Sequence, residues 1–503
     1  MGNFRYFEKA NVQAKEVYAI KFADLSKSEQ VLAATLQGLA ANVSATQLFM
    51  LEDNEHPDYK IWLDDLATNH GCTVNHLANI AAVLDKFLPI VNASGYVLYD
   101  KNDGSVNSAV SLCGIKKAVA VEVKLEPVIK ARGFSLVDDA RGISAKDIIA
   151  KYGDKISKKT VVEQIPDKTP YMIDYAVMTS SLMFFVGNTK ERDSLLSYMD
   201  EDSACMGWGD ASNEESVFVN SSGNNGIFTI PADWSLNLSI LSGFPSTPIK
   251  QSISREELPH EEDVHYVCFM MSDGDNIQWA QGRMFADKRW WGNEHRSEFP
   301  TSWAVAPAMY DLFPTLMKRY YESSFGKSCL MVGPSGNGYM YPKTFPEKAL
   351  KKHIERLNSY MGDMDLSTAV IIDFDSFECD RLWDTYLTQP NIGGLFFLEY
   401  INHKMGQGKI SWYHDKPVIN PREMLWDKFH DGICNKSDVA KRINKAPIDI
   451  HSENGYTLVL VHVWSDENGT MDAVNEVVGS LDKHIRVVGA DDFVKLIKKN
   501  VKR

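Results

Sequence analysis

The stretch His265-Tyr-Val-Cys-Phe-Met-Met271, which runs directly into Ser272-Asp-Gly-Asp-Asn276, decides the fold class. Its first seven residues are apolar almost throughout and predict a strand covered on both faces, because a strand with one wet face alternates polar and apolar side chains. Six further runs of this kind follow at 302–306, 329–333, 368–373, 394–399, 457–463 and 485–488. Helix-like segments separate many of them, which predicts an α/β fold with a parallel sheet, either open and doubly wound or closed as a barrel.

The first 250 residues show a different pattern, in which short strands and helices are irregularly spaced. We interpret this half as an α+β domain. Stretches 97–121 and 206–230 each suit a strand, a polar loop, a helix and a second strand, which indicates an internal repeat. Residues 242–263 are rich in Pro, Ser and Glu, as domain boundaries often are. The predicted domains are therefore residues 1–250 and residues 251–503.

The composition argues against several classes of function. The 503 residues include 53 Lys and Arg against 67 Asp and Glu, so the net charge of −14 disfavours nucleic acid or an anionic membrane surface as a partner. A membrane span would need about 20 apolar residues in a row, and the sequence has no such run. The seven cysteines lack the spacing of a structural zinc site, so we predict no metal.

The first seven residues do not have the charged and apolar regions of a signal peptide. This is expected of a cytoplasmic protein, or of a chain whose signal was trimmed.

Two carboxylates, Asp273 and Asp275, follow the strand that ends at Met271, with Gly274 between them. Residues i and i+2 of an extended chain point the same way, so both acids could face one ligand. A pair of this kind suits a general base that activates water, with the second acid orienting it. It also suits a hard metal ion, or a solvated turn that binds nothing.

A second candidate is the loop of residues 333–342, which holds three Gly and two Pro. Tyr339 and Tyr341 in this loop offer flat rings with polar tips, which suit the C–H faces and hydroxyl edges of sugars. A phosphate-binding loop is the competing interpretation, but the closing Lys-Ser/Thr is missing.

Further polar and aromatic residues could line a carbohydrate cleft at the carboxyl ends of the strands, where a parallel sheet binds its ligands. Beside the two tyrosines, the candidates for substrate binding are Asn276, Asp373, Glu399, Trp412, His462 and Trp464. In the first half, the acidic pair Glu214 and Glu215 could supply a general acid, which needs a raised pKa. The same pair also suits a simple helix start.

These residues carry a resemblance to a known family. Gly336-Asn-Gly-Tyr-Met-Tyr-Pro342 matches the signature of the GxGYxYP family, and the stretches 272–276, 233–239 and 409–418 support the match. The resemblance extends from about residue 17 to the C-terminus. It implies a glycoside hydrolase of the kind that gut bacteria use on polysaccharides, secreted or periplasmic, without a cofactor.

The resemblance also implies a fold and a catalytic set. The fold is an N-terminal domain of three divergent repeats followed by a seven-stranded, TIM-like β/α barrel, with the site in the cleft between them. The catalytic set is one Glu, here Glu214 or Glu215, and the two acids Asp273 and Asp275.

On this basis we expect the Glu to protonate the leaving oxygen of a glycosidic bond while one Asp activates water. A cleft between domains suits the wider carboxyl separation of about 6.5–9.5 Å that inversion requires. Two alternatives remain open: a non-catalytic glycan-binding protein, and a metal-dependent polysaccharide deacetylase, although the paired-histidine ligand motif of the latter is missing.

Overall fold

A computed structural model describes residues 6–209, 215–253, 258, 261–399, 407–427, 434–464 and 469–503. It shows a mixed α/β fold in which three small sheets precede one large sheet. Buried apolar side chains from both halves of the chain form one continuous cluster. Within the described ranges, no helix combines the length and the apolar character needed to cross a membrane.

The first two sheets have the same strand order, and each places its first strand in the middle. The first sheet has the order β2-β1-β3 and consists of β1 (Glu16–Lys21), β2 (Thr46–Leu51) and β3 (Thr73–Leu77). Its helices are α1 (Lys27–Ala41), α2 (Asp58–Asn69) and α3 (Ile80–Val91). The second has the order β5-β4-β6 and consists of β4 (Tyr96–Tyr99), β5 (Val119–Glu122) and β6 (Leu136–Asp139). Its helices are α4 (Val106–Lys116), α5 (Glu126–Lys130) and α6 (Ala145–Tyr152).

The third sheet has the order β10-β9-β7-β8. Its strands are β7 (Thr160–Gln164), β8 (Leu182–Phe184), β9 (Ser203–Trp208) and β10 (Ile227–Ile230). Its helices are α7 (Ile173–Thr179), α8 (Thr189–Leu196), α9 (Glu215–Asn224) and α10 (Leu238–Ser242). Every strand pair in the three small sheets is parallel. The N-terminal half is therefore α/β rather than the expected α+β, because its strands of three to six residues are too short to show their periodicity in the sequence.

The large sheet follows the predicted strands closely. Its described strands are β11 (His265–Met271), β12 (Thr301–Val305), β13 (Ser328–Val332), β14 (Thr368–Ile372), β15 (Gly394–Leu398), β16 (Ile410–Tyr413), β17 (Lys416–Ile419), β18 (Glu423–Leu425), β19 (Tyr456–Val461) and β20 (Ile485–Val487). The described helices of this half are α11 (Ile277–Gly282), α12 (Met309–Leu312), α13 (Pro314–Glu322), α14 (Glu347–Asp363), α15 (Asp380–Leu387), α16 (Lys436–Asn444), α17 (Thr470–Gly479) and α18 (Ala490–Asn500). All seven predicted strands are present, and β16, β17 and β18 were not predicted.

The order of the large sheet is β16-β17-β15-β14-β13-β12-β11-β19-β18, with β20 also paired to β11. All pairs are parallel except β16 with β17. Among the described residues, no strand pairing joins the two ends of this order, β16 and β18, so closure of the sheet is not observed. The seven-stranded closed barrel stays a prediction, as does the division of the chain at residue 250.

A short backbone contact joins the two halves beside the carboxyl ends of the strands. Tyr339 N–H donates to Thr229 O at 2.7 Å, and Thr229 N–H donates to Tyr339 O at 2.8 Å, so the loop pairs antiparallel with β10. Gly338 makes this approach possible, because a Cβ at that position would come within 2.6 Å of Thr229 O. Gly336 is needed in a similar way where the loop packs on the ring of His353.

We expect Gly338→Ala to lower the free energy of unfolding by about 1–3 kcal/mol, because the added methyl must push the loop away from β10. Urea unfolding followed by circular dichroism measures the change. Gly479→Ala is the matched control: a Cβ at this helical glycine meets nothing within 4 Å, so stability should stay equal or rise. Equal stability of the Gly338→Ala variant and the wild type would contradict the account of this contact.

Candidate active site

A cavity of about 680 Å³ lies where the third small sheet meets the carboxyl ends of the large sheet. The N-terminal half contributes Trp208, Glu215, Ser216, Pro231 and Asp233 to its walls. The C-terminal half contributes Asp273, Asp275, Asn276, Gln278, Tyr339, Tyr341, Ile372, Phe374, Trp426, His462 and Trp464. The cavity therefore brings together eight of the twelve residues that the sequence singled out.

The turn after β11 directs both of its acids to the cavity. Asp273 has the left-handed backbone angle φ of +59°, and Gly274 packs directly on the backbone of Ala304 in β12. The Gly274 carbonyl accepts the N–H of Ala306 at 2.8 Å, which ties the turn to the next strand. Asp275 is 5% exposed, whereas Asp273 is partly open to the cavity.

Glu215, the first residue of α9, faces these acids from the N-terminal half. The Tyr339 hydroxyl donates to Glu215 Oε1 at 2.5 Å, and the Tyr341 hydroxyl oxygen lies 3.1 Å from that of Tyr339. The two tyrosines of the motif thus hold the acid that the other half of the chain supplies. The alternative acid, Glu214, lies outside the described residues.

The three acids influence each other's protonation. Part of residue Glu215 is solvent-exposed, but the enclosure of its carboxyl group raises its pKa, and the charge of Asp273 raises it further while the Tyr339 hydrogen bond opposes the change. Burial raises the pKa of Asp275 well above its usual range, and the charges of Asp273 and Glu215 act in the same direction. The site therefore makes Glu215 and Asp275 weaker acids than they are in water.

His462 lies on the other side of Asp273. Its Nε2 is 3.8 Å from Asp273 Oδ2, and its ring stacks on Trp426 with centroids 3.8 Å apart. Burial lowers the pKa of His462, although the Asp273 carboxylate opposes this effect. The ring lies beside Asp273 at a distance longer than a hydrogen bond.

Aromatic rings form much of the remaining wall. Trp464 packs against Trp279 and Trp290, with ring centroids 5.1 and 5.2 Å away. Tyr341 packs edge-on against Phe374 at 4.8 Å. Rings that other rings hold in place offer a rigid apolar surface to a ligand at low entropic cost.

Three residues predicted to bind substrate do not line this cavity. Asp373 is buried and accepts the backbone N–H of Lys343 at 2.9 Å, and burial raises its pKa to about 6. Glu399 is buried and accepts the N–H of Asp375 at 3.1 Å. Trp412 lies on the edge strand β16, under the guanidinium of Arg503 at 4.4 Å. Asp373 and Glu399 stabilise neighbouring loops, and Trp412 packs at the edge of the sheet.

The cavity also contains residues that sequence reasoning did not select. Asp233 is buried and forms an ion pair with Lys168, whose ammonium also lies 4.8 Å from the centroid of the Trp234 ring. Gln278 is 6% exposed, and its Oε1 has no hydrogen-bond partner. Asp233 begins a stretch that supported the family resemblance, which was the available signal, whereas nothing marked Gln278.

No group of three or more His, Cys, Asp or Glu within the described ranges is arranged to hold a metal ion. The pair Asp273 and Asp275 therefore has no third ligand of these types in that part of the chain.

Comparison with known proteins identifies the family. Residues 263–498 match the family model described as "GxGYxYP putative glycoside hydrolase C-terminal domain". Residues 16–88, 93–156 and 158–243 match the first, second and third N-terminal domains of the same family. The chain belongs to the GxGYxYP family.

A solved structure supports the same relationship. The chain resembles the crystal structure of "a putative hydrolase" from Bacteroides thetaiotaomicron VPI-5482, with a TM-score of 0.89 and 29% identity over 99% of this chain and 98% of that chain. No curated protein matches the sequence.

The raised pKa of Asp275 predicts a specific pH dependence of stability. An acid with a raised pKa in the folded state binds more protons than it does in the unfolded state, so the wild type loses stability as the pH rises from about 4 through the raised value. Asp275→Asn removes this loss, and we expect the variant to gain stability relative to the wild type between pH 4 and pH 7, measured by urea unfolding.

The matched control for this prediction is Asp139→Asn. The hydrogen bond from Arg141 lowers the pKa of Asp139, so this variant should be less stable than the wild type, by a nearly constant amount from about pH 5 to pH 7. A pH-independent difference between Asp275→Asn and the wild type would show that Asp275 ionises normally.

Proposed function

We propose that this member of the GxGYxYP family is a glycoside hydrolase that cleaves an oligo- or polysaccharide in the cavity between its two halves. The observation that carries the proposal is the meeting of Glu215 with Asp273 and Asp275 in one aromatic-walled cavity. Hydrolysis of a glycosidic bond uses two carboxyl groups on opposite sides of the bond, one protonated and one ionised.

Glu215 is the proposed general acid. Its enclosure raises its pKa, as a general acid requires, and Tyr339 fixes the direction of its carboxyl group. As the bond between the anomeric carbon and the glycosidic oxygen breaks, the Glu215 proton passes to that oxygen, which leaves as a hydroxyl.

Asp273 is the proposed general base, because it is more accessible than Asp275 and lies beside the neutral His462. Water attacks the anomeric carbon while one of its protons passes to Asp273. Asp275, which favours its protonated form, donates a hydrogen bond that orients the water or the sugar. This route inverts the anomeric configuration, and a cavity open to both halves leaves room for the water.

The sugar ring is proposed to pack on the aromatic wall formed by Trp208, Trp426 and Trp464. Its hydroxyls would meet the side chains of Asn276 and Tyr341.

We also propose a barrel-like curvature of the large sheet, since β11 to β15 lie side by side in chain order as barrel strands do. Because a polysaccharide is met outside the cell interior, we propose a periplasmic or secreted location, as in the gut bacteria that the resemblance suggests.

A panel of oligosaccharides and aryl glycosides tests the proposed reaction. We expect Asp273→Asn and Glu215→Gln each to lower kcat/KM on oligosaccharides by about 10²–10⁴-fold, the usual contribution of a general acid or base. On 2,4-dinitrophenyl glycosides, whose leaving group needs no proton, Glu215→Gln should keep most of its activity and Asp273→Asn should not.

Asp64→Asn, a change at an exposed helical carboxylate outside the cavity, is the control and should behave as the wild type. Undiminished activity of Asp273→Asn would remove this acid from the mechanism. Binding without turnover across the whole panel would indicate a glycan-binding protein instead.

A further inference from the structure

The cavity is rich in carboxyl groups. Four carboxylates line it, Glu215 and Asp233 from the N-terminal half and Asp273 and Asp275 from the C-terminal half. Among the described residues that line it, none is Lys or Arg. The remaining titratable ring, His462, is held neutral by burial, which lowers its pKa.

Lys168 balances the charge of Asp233, but it does not offer a cation to a ligand in the cavity. Its ammonium forms an ion pair with Asp233 and lies over the ring of Trp234, so one carboxylate and one aromatic face already occupy it. The pairing holds the Asp233 side chain in place, which makes it a fixed acceptor for ligand hydroxyls.

The acids also act on one another through the cavity. Asp273 raises the pKa of Glu215, and both raise the pKa of Asp275. A negative group on a ligand in the same space would experience the same repulsion.

An uncharged polar residue of the lining also favours a ligand that donates hydrogen bonds. Gln278 is nine-tenths buried, and its Oε1 has no partner in the protein, so it needs a donor. A sugar hydroxyl or ammonium group supplies a proton for that bond, whereas a carboxylate or sulfate at neutral pH offers only acceptors.

We propose, building on the function proposed above, that this site takes sugars that are neutral or carry an amino group, and rejects sugars that carry a carboxylate or sulfate at the position bound here. The charge of a sugar and its ability to donate hydrogen bonds then decide whether the cavity binds it, and its size does not.

Matched 4-nitrophenyl glycosides test this selectivity in the wild-type enzyme. For each configuration, glucose and galactose in α and β forms, three substrates are compared: the neutral hexoside, the uronide and the methyl ester of the uronide. The ester is larger than the acid but uncharged, so it separates charge from size. We expect kcat/KM for the uronide to be at least about 100-fold below that of its ester, as repulsion at a few ångströms in a partly shielded site predicts.

A second measurement covers substrates that are bound but not cleaved. Calorimetric titration compares oligogalacturonides with their methyl esters and with their carboxyl-reduced counterparts, which have the same linkage. Asp233→Asn should narrow the preference for the uncharged members by about tenfold, because the variant removes a carboxyl group from the cavity and leaves the Lys168 ammonium without its partner. Asp64→Asn should leave the preference unchanged.

The outcomes separate this inference from the proposed reaction. Preference for the ester over the acid supports the inference, whether it appears in turnover or in binding alone; in the latter case the hydrolysis proposal fails and the selectivity holds. Equal or better use of the uronide overturns the charge selectivity and leaves the hydrolase intact. If no member of either set is cleaved or bound, both proposals fail.

Discussion

Two backbone hydrogen bonds between Thr229 and Tyr339 hold the site together. The cavity is not formed by either half of the chain alone, since Glu215 comes from one half and Asp273 from the other. The loop of the motif can pair with β10 only because Gly338 has no Cβ, and the pairing places the Tyr339 hydroxyl on Glu215. The glycines and tyrosines of the motif therefore have different roles. The glycines allow the loop to approach β10 closely, and the tyrosines position Glu215.

The crowding of carboxyl groups follows from this docking and gives the site its chemistry. Acids that meet in an enclosed space cannot all ionise, so the most buried of them, Asp275, keeps its proton and Glu215 is pushed in the same direction. This crowding of acids lowers the stability of the folded protein, and favourable contacts elsewhere offset the loss. Among them are the contacts by which α2 packs on the C-terminal half. An example is the Trp62 indole N–H, which donates to Gln281 O at 2.6 Å. A stable frame is what keeps three acids close together in spite of their mutual repulsion.

Much of the large sheet could be predicted from the sequence because its strands are long apolar runs that end in polar residues, as β11 does at Ser272 and Asp273. The strands β16 to β18 were missed because they have only three or four residues each, and β17 even contains Pro417. The N-terminal half was predicted to be α+β instead of α/β for the same reason. Its strands of three to six residues are too short to show a periodicity in the sequence.

The site was only partly predictable. Position at a strand end brought Asp273, Asp275, His462 and Trp464 into the predicted set, and all four line the cavity. The same rule selected Asp373 and Glu399, whose side chains accept backbone N–H groups of nearby loops instead, because a strand end does not specify which way a side chain turns. Asp233 was missed because it reaches the cavity only where the two halves of the chain meet. Gln278 follows the predicted turn directly, but the sequence does not specify which side of α11 faces the cavity.

The central claim is that acids from the two halves act on one sugar. The crystal structure of the Asp273→Asn variant with a bound neutral oligosaccharide tests it most directly. The account predicts a glycosidic oxygen within hydrogen-bond distance of the Glu215 carboxyl group, with the adjoining anomeric carbon facing position 273. A sugar bound away from both positions, or one that contacts a single half of the chain, would contradict it.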